Sequence, residues 1–301
     1  MKHVNNSGNG ILRRSILSLV FLLASCGPAD KSNENTAKAP SYKELYVEVN
    51  GQTIYMKQWS FQGPPILFMG GAGEEMGAWK EVIPDFTDNY KVFAADARGQ
   101  GKSSKPESGY RWKEDIAEDI AQLVKQHFKE PLIIIGHSAG AMTAAAVAAY
   151  HPKSVRALVL EDPPACDISI VFPYLRSQLK IRAMPYEERI QFYMENGKTE
   201  EQAKKASATV DKINIPAMNE LMAGKAAFDI REILPMIKCE VLFMLGNPEK
   251  GSMAREEYRA EFKQQIPHAK ISEWSETGHH LHSPDPKRFA KEIRTFLKQI
   301  P

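Results

Sequence analysis

Short apolar runs alternate with amphipathic stretches along most of the chain. Patterns typical of buried strands lie at 65–69, 91–96, 132–135, 155–160, 241–245 and 269–274. Ahead of them, 45–49 and 53–59 alternate apolar and polar side chains around Asn50-Gly51, which predicts an antiparallel hairpin. Helical periodicity is found at 78–86, 114–128 and 286–300. This order predicts an α/β fold with a mostly parallel sheet covered by helices on both faces.

The alternation stops between Pro164 and Pro235, where helical stretches at 185–196 and 199–212 are accompanied by several methionines. Ligands of parallel sheets bind beyond the carboxyl ends of the strands, and we expect this segment to cover those ends as a helical cap inserted after the sixth strand. Its methionines suit an adaptable apolar pocket, although helix packing is the simpler explanation for any single one. The predicted divisions are a signal peptide at 1–25, a tether at 26–40, a core at 41–164 and 235–301, and the cap at 165–234.

The first 25 residues have the pattern of a secretory signal. Three cations and no acid precede an apolar run at 16–23 that is too short to span a bilayer. The run ends in Leu23-Ala-Ser-Cys26, which resembles a bacterial lipobox, so we expect Cys26 to be the lipidated first residue of the mature protein. An ordinary cleaved signal with an incidental cysteine is the alternative. The expected location is the bacterial cell envelope, with Gly27 favouring the outer membrane if there is one.

Composition adds little beyond this. The formal charge of +2 becomes −1 without Lys2, Arg13 and Arg14 of the signal, so no basic face for nucleic acid is predicted. The other two cysteines, Cys166 and Cys239, are free to pair in an oxidising compartment or to remain thiols. No Cys/His spacing indicates zinc, and no metal or cofactor is expected. The oligomeric state is left open.

The sharpest chemical signal is Gly136-His137-Ser138-Ala139-Gly140, which follows an apolar β-branched run and precedes an alanine-rich helical run. Strand, tight turn and helix in that order force Ser138 into a strained conformation that exposes its hydroxyl. The N-terminal amides of the new helix then face an oxyanion formed there. The sequence therefore predicts Ser138 as a nucleophile, the alternative being a glycine-rich turn with an exposed serine.

Three motifs in this order resemble the α/β-hydrolase fold family, in its capped, serine esterase-like branch, over about 45–300. They are the turn around Ser138, the Asp-x-Arg-Gly-x-Gly-x-Ser turn at 96–103, and Gly278-His279 after the last strand. The resemblance implies that His279 is the base, with His280 and His282 as rivals by proximity. For Asp96 and Arg98 in the 96–103 turn, a structural role is preferred to a catalytic one, because charge-assisted hydrogen bonds there can hold together the loops near the Ser138 turn.

The resemblance also implies an orienting acid and an oxyanion site. Glu249 stands where the family has the acid of Gly-x-x-Asp and is preferred, with Asp162 after the preceding strand as the alternative. The oxyanion donors implied are the amides of Ala139 and Gly71. Ala72 is the second choice for the donor from the loop that contains Gly71. Met69 replaces the histidine usual before this loop.

The function expected is hydrolysis of a carboxylic ester, or a related acyl substrate, through an acyl-enzyme and without a cofactor. The serine argues against haloalkane dehalogenase and epoxide hydrolase chemistry, in which aspartate is usual. Met69-Gly-Gly-Ala-Gly73 departs from the His-Gly-Gly-Pro-Gly of prolyl aminopeptidases. Carbon–carbon bond hydrolases and cofactor-free haloperoxidases share the serine triad and remain alternatives. A non-catalytic hydrolase-like binding lipoprotein is an alternative of a different class.

Overall fold

One eight-stranded sheet forms the centre of the computed structural model, which describes residues 42–164, 172–224 and 229–300. The strands are β1 Lys43–Val49, β2 Gln52–Gln58, β3 Pro65–Met69, β4 Lys91–Ala95, β5 Leu132–His137, β6 Val155–Glu161, β7 Glu240–Gly246 and β8 Lys270–Trp274. Their order in the sheet is β1-β2-β4-β3-β5-β6-β7-β8. β1 and β2 form the expected antiparallel hairpin, β2 also runs antiparallel to β4, and all other neighbours are parallel.

Helices cover both faces of this sheet, and the described residues between β6 and β7 form four further helices. The helices are α1 Glu118–His127, α2 Ala139–Tyr150, α3 Phe172–Ala183, α4 Tyr186–Glu195, α5 Glu200–Asp211, α6 Ile215–Met222, α7 Glu256–Gln265 and α8 Pro286–Leu297. Consecutive strand residues point to opposite faces, so Leu67 and Ile134 pack in a core with α1, α2 and α7, while Phe68 and Ile135 pack in a second core with α8. The mostly parallel sheet with helices on both faces, expected from the sequence, is confirmed.

Two predicted helices differ in detail. The single helix expected at 78–86 is instead two short 3₁₀ turns, Met76–Trp79 and Ile83–Asp85. Pro84 has no N–H to donate and its ring opposes a continuous α-helix, so the chain begins a new turn there. The helix expected at 114–128 begins as a π-helical turn, Trp112–Ala117, and continues as α1.

The segment between β6 and β7 contains α3 to α6, and part of it forms a small core of its own. Ile181, Ile190, Tyr193, Ala203 and Val210 are buried together there. α5 begins at a capping box, in which the Thr199 hydroxyl accepts from the Gln202 N–H and the Gln202 side chain accepts from the Thr199 N–H.

Several expectations fall on residues outside the described part of the chain. They are the signal peptide, the tether, Cys26 and Cys166. Cys239 is described, is a half-buried free thiol, and has a pKa raised by burial to about 12. Among the described residues, no helix has both the length and the apolar character needed to cross a bilayer.

Candidate active site

Ser138 lies at the sharp turn between β5 and α2, with φ 51° and ψ −116°. A left-handed φ is strained for a residue with a side chain, and the close approach of the backbone around it requires glycine. A Cβ atom on Gly136 would come within 2.5 Å of the Gly140 carbonyl, and one on Gly140 within 2.4 Å of the Met69 carbonyl oxygen. The strained turn expected at Ser138 is therefore present, and both glycines are needed to form it.

The imidazole of His279 is paired with a buried carboxylate. His279 Nδ1 lies 2.7 Å from Asp162 Oδ2, and Asp162 is fully buried after the end of β6. The other donors to Asp162 are the Gly246 N–H at 3.1 Å, the Ser252 hydroxyl at 2.5 Å and the Met253 N–H at 2.7 Å. Because both carboxylate oxygens receive donors, Asp162 is fixed in one orientation and in turn orients His279.

Glu249, preferred as the acid from the sequence, does not lie against His279. It is exposed in the turn Pro248–Lys250 after β7, and its N–H donates to the Asn247 side chain at 2.8 Å. The preference is therefore corrected in favour of Asp162, the alternative. The turn after β7 leaves the Glu249 side chain exposed, whereas the Asp162 carboxylate is buried after β6 and faces the loop that carries His279.

Ser138 and His279 line one cavity of about 1560 Å³. Its walls come from the strand ends and from the helices between β6 and β7. Of the methionines expected to line an apolar pocket there, Met218 does so, whereas Met194 is exposed. The cavity thus lies beyond the carboxyl ends of the strands, where ligands of such sheets bind.

The two expected oxyanion donors differ in their surroundings. Ala139 is the first residue of α2, directly after Ser138. The Gly71 N–H instead donates to Glu74 Oε2 at 2.6 Å. The Gly71 carbonyl accepts from the Glu74 N–H and from the Gln100 side chain, at 3.1 and 2.9 Å. The Gly71 amide is therefore near Ser138 but already engaged by a carboxylate.

Half-buried Glu74 and His280 form a cluster with the buried His137. His137 Nδ1 lies 2.8 Å from Glu74 Oε2, and His280 Nε2 lies 3.2 Å from Glu74 Oε1. His137 Nε2 lies 3.0 Å from the His279 carbonyl oxygen, which can only accept, so this nitrogen carries a hydrogen. With Nδ1 facing a carboxylate as well, His137 donates from both nitrogens and is an imidazolium.

The electrostatics of this cluster agree with that assignment. Burial by itself lowers the pKa of His137, but the charges of Glu74 and Glu161 outweigh it and raise the pKa to about 9. Burial by itself raises the pKa of Glu74, but the charge and hydrogen bond of His137 hold it well below its usual range. Burial lowers the pKa of His280 despite its hydrogen bond to Glu74. The cluster is thus a carboxylate and an imidazolium beside a neutral imidazole.

The same cluster supplies the donor types of a metal site. The ligand atoms of Glu74, His137 and His280 lie within 4.8 Å of one another, and in the described part of the chain they form the one group that could hold a metal ion. Here the Glu74 carboxylate bonds to both imidazoles instead.

A second buried pair fixes the loop that carries His279. Glu161 Oε1 accepts from the Leu281 and His282 N–H groups at 2.6 and 2.9 Å, and His282 Nδ1 lies 2.9 Å from both carboxylate oxygens. Burial opposes the ionised form, but the charge of His282 lowers the pKa of Glu161 to about 2. His282 is thus engaged with Glu161, and His280 with Glu74, while His279 faces Asp162.

The turn at 96–103 has the structural role that the sequence implied. Asp96 accepts from the Met76 and Lys102 N–H groups at 2.8 and 3.2 Å. Arg98 forms a buried bidentate pair with Asp119, at 2.6 and 2.7 Å. These contacts hold the loops beside the cavity.

Sequence reasoning missed Glu74 and Glu161. Glu161 could have been found, since it immediately precedes Asp162 at the end of a buried strand pattern. Glu74 gave no signal, because an acid after a glycine-rich loop is ordinary at a surface and its partners are distant in sequence.

Comparison with known proteins places this geometry in a family. A family model described as the alpha/beta hydrolase fold matches residues 64–286. The chain is 36% identical over 100 residues to 2-(acetamidomethylene)succinate hydrolase of Mesorhizobium japonicum, covering 33% of this chain and 36% of that protein. It is 33% identical over 136 residues to 2-hydroxy-6-oxo-6-(2'-aminophenyl)hexa-2,4-dienoic acid hydrolase of Metapseudomonas resinovorans, covering 44% and 46%. The chain thus matches less than half of the length of these curated relatives.

Solved structures agree on the fold. The enol-lactonase of Burkholderia xenovorans LB400 superposes with a TM-score of 0.69 at 21% identity, covering 85% of this chain and all of that one. At such identity the likeness concerns the fold alone. Because the family model matches most of the length of this chain, the chain belongs to the α/β-hydrolase fold family.

Proposed function

We propose that this protein is a serine hydrolase that cleaves a carboxylic ester through an acyl-enzyme. Ser138 is the nucleophile, His279 the general base and Asp162 the acid that orients it. The observation that carries the proposal is the 2.7 Å contact of His279 with fully buried Asp162, at the cavity into which the Ser138 turn opens. A serine hydroxyl is a weak nucleophile by itself, and an oriented imidazole is what activates it.

The reaction proceeds in two stages, acylation and deacylation of Ser138. Ser138 Oγ attacks the ester carbonyl carbon while His279 takes the hydroxyl proton. The bond to the alcohol oxygen then breaks, and His279 returns the proton to that oxygen, leaving an acyl-serine. Water attacks the acyl carbon with His279 as base, and the proton passes to Ser138 as the carboxylic acid leaves. The Ala139 amide donates to the negatively charged oxygen in both halves.

Location at a membrane is a separate part of the proposal. The lipobox-like Leu23-Ala-Ser-Cys26 supports a diacylated or triacylated cysteine at the start of the mature chain. A segment of about 15 residues then separates the lipid from the folded domain. Metabolic labelling with an alkyne palmitate analogue tests this, since Cys26→Ala is expected to remove the label.

A second candidate is a hydrolase-like protein that binds ligands without turnover. One observation favours it: the Gly71 amide, the expected second oxyanion donor, is bonded to Glu74. A serine site lacking one such donor is slower by about 10²–10³-fold. The two candidates differ in whether Ser138 is reactive.

Covalent labelling with a fluorophosphonate probe distinguishes them. We expect the full-length protein to be labelled and Ser138→Ala to be unlabelled. Ser275→Ala, which removes an exposed hydroxyl, is the matched control and is expected to label like the unaltered protein. Absence of labelling in the folded protein would overturn the hydrolase proposal in favour of binding alone. Labelling would justify a screen of p-nitrophenyl esters of increasing acyl length.

A further inference from the structure

The Glu74 carboxylate accepts a hydrogen bond from the Gly71 N–H, the donor that the carbonyl oxygen of an acyl substrate would need. Its Oε2 atom accepts the Gly71 N–H at 2.6 Å, a short distance of the kind that an ionised acceptor favours. Gly71 is also the residue next to the nucleophile, since a Cβ atom placed on it would lie 3.2 Å from Ser138 Cβ and 3.1 Å from Glu74 Oε2. The carboxylate therefore lies beside the point at which negative charge develops during attack.

We propose that Glu74 is a positioning residue that holds the Gly71 amide in the resting protein and releases it to the carbonyl oxygen of the bound substrate. This inference rests on the proposed function of Ser138. One N–H cannot make two strong hydrogen bonds, and a carboxylate repels the developing oxyanion. Entry of the carbonyl oxygen therefore requires that the Gly71–Glu74 bond opens.

The cluster allows this release without leaving a buried charge unpaired. After losing Gly71, Glu74 Oε2 still accepts from His137 at 2.8 Å and Oε1 still accepts from His280 at 3.2 Å. The Gly71 carbonyl keeps its bonds to the Glu74 N–H and to Gln100, so only the peptide that carries the Gly71 N–H has to turn. Gly71 is suited to that turn because it has no side chain. A Cβ atom at this position would lie only 3.0 Å from His137 Nδ1 and would restrict the movement.

This role predicts a gain on removing the carboxylate. In Glu74→Ala, the Gly71 N–H is free and the repelling charge is gone, so the second-order rate of fluorophosphonate labelling at Ser138 should rise at least about 10-fold, within the range that one oxyanion donor supplies. Glu74→Gln keeps an acceptor for Gly71 but not the charge, and a smaller rise is expected. A residue that only supported the fold would lower the rate when removed.

Glu75→Ala is the matched control. It removes an acid from the same loop, but Glu75 pairs with Lys212 at 3.1 Å and does not contact Gly71. Its labelling rate should equal that of the unaltered protein. Rates in Glu74→Ala at or below the Glu75→Ala rate would overturn the inference while leaving Ser138 as nucleophile. Absence of labelling in every variant, with Ser138→Ala as blank, would instead overturn the proposed function.

A measurement on the unaltered protein covers the case in which the variants do not fold. In protein labelled with [¹⁵N]glycine, the amide proton of Gly71 should resonate far downfield at rest, because it donates to a carboxylate. That resonance should shift on phosphonylation of Ser138, whereas the resonance of Gly51 in the exposed β1–β2 turn should not. An unchanged Gly71 resonance would show that the Glu74 bond does not open, and would overturn the inference.

Discussion

Asp162 and His279 are 117 residues apart in sequence and 2.7 Å apart in the structure. β6 ends at Glu161 and Asp162 follows it, while His279 lies in the loop after β8. The adjacent Glu161 binds the backbone of that same loop at Leu281 and His282. Two consecutive acids at one strand end therefore fix both the side chain of His279 and the loop that carries it.

The first prediction separates the two acids considered from the sequence. Asp162→Asn should lower the labelling rate of Ser138 by about 10³–10⁴-fold, because the imidazole loses the acceptor that sets its orientation and tautomer. Glu249→Gln should leave the rate unchanged, since Glu249 is exposed and bonds only through its backbone to Asn247. A loss of rate in Glu249→Gln, with Asp162→Asn unaffected, would reverse the assignment.

The second prediction concerns the pH dependence of stability. The raised pKa of His137, about 9 against 6.5, stabilises the fold fully below pH 6.5 and loses this effect as the pH rises through 9. The lowered pKa of Glu74 stabilises it above pH 4.5 and loses this effect on acidification. The stability difference between the unaltered protein and Glu74→Gln should therefore be largest between pH 4.5 and 6.5.

Urea unfolding at about pH 6, 7.5 and 9.5 measures this difference. The gap in unfolding free energy should shrink toward the highest pH. A gap that is constant across this range would contradict an imidazolium at His137. Glu75→Gln serves as the control, because Glu75 is in the same loop but pairs with Lys212 and not with a histidine.

The third prediction concerns the backbone at the Ser138 turn. Gly140→Ala should cost about 1–3 kcal/mol of unfolding free energy or more, because its Cβ would lie 2.4 Å from the Met69 carbonyl oxygen in a packed interior. Gly77→Ala should change stability by less than about 0.5 kcal/mol, since a Cβ there meets nothing within 4 Å. Equal effects of the two substitutions, measured by urea unfolding, would contradict the tight approach of α2 to β3.

The fourth prediction compares a buried with an exposed ion pair. Asp119→Ala should cost about 3–5 kcal/mol, because it leaves the buried Arg98 guanidinium without its bidentate partner. Glu130 forms a half-exposed ion pair with Lys91, and Glu130→Ala should lower the free energy of unfolding by about 0–1 kcal/mol. Urea unfolding of both variants checks the difference, and a similar small cost for each would contradict the structural role of the 96–103 turn.

The fold could be predicted from the sequence because the apolar residues of each strand and helix recur at the spacing that places them on its buried face. β3 and β4 begin within one residue of their predicted starts, and the turn at Ser138 has glycines that steric contact demands. The prediction of one helix at 78–86 was wrong. The apolar spacing there fits either one α-helix or two short 3₁₀ turns, and Pro84 favours the two turns.

The site was only partly readable for a different reason. The acid at His279 depends on whether the loop after β6 or the loop after β7 turns its carboxylate toward the loop after β8, which is a matter of long-range packing that local pattern does not contain. Spacing after β7 favoured Glu249, but the polypeptide turns outward at Pro248 and places that side chain in solvent. The role of Glu74 gave no sequence pattern, because two of its partners, His137 at the end of β5 and His280 in the loop after β8, are distant in sequence.

The central claim is that Ser138 is an activated nucleophile, and the most direct test is to map the site of phosphonylation. The full-length protein is treated with a fluorophosphonate, digested and analysed by mass spectrometry. We expect a single adduct on the peptide that contains Ser138 and none in Ser138→Ala. An adduct on another residue, or a folded protein that forms none, would contradict it.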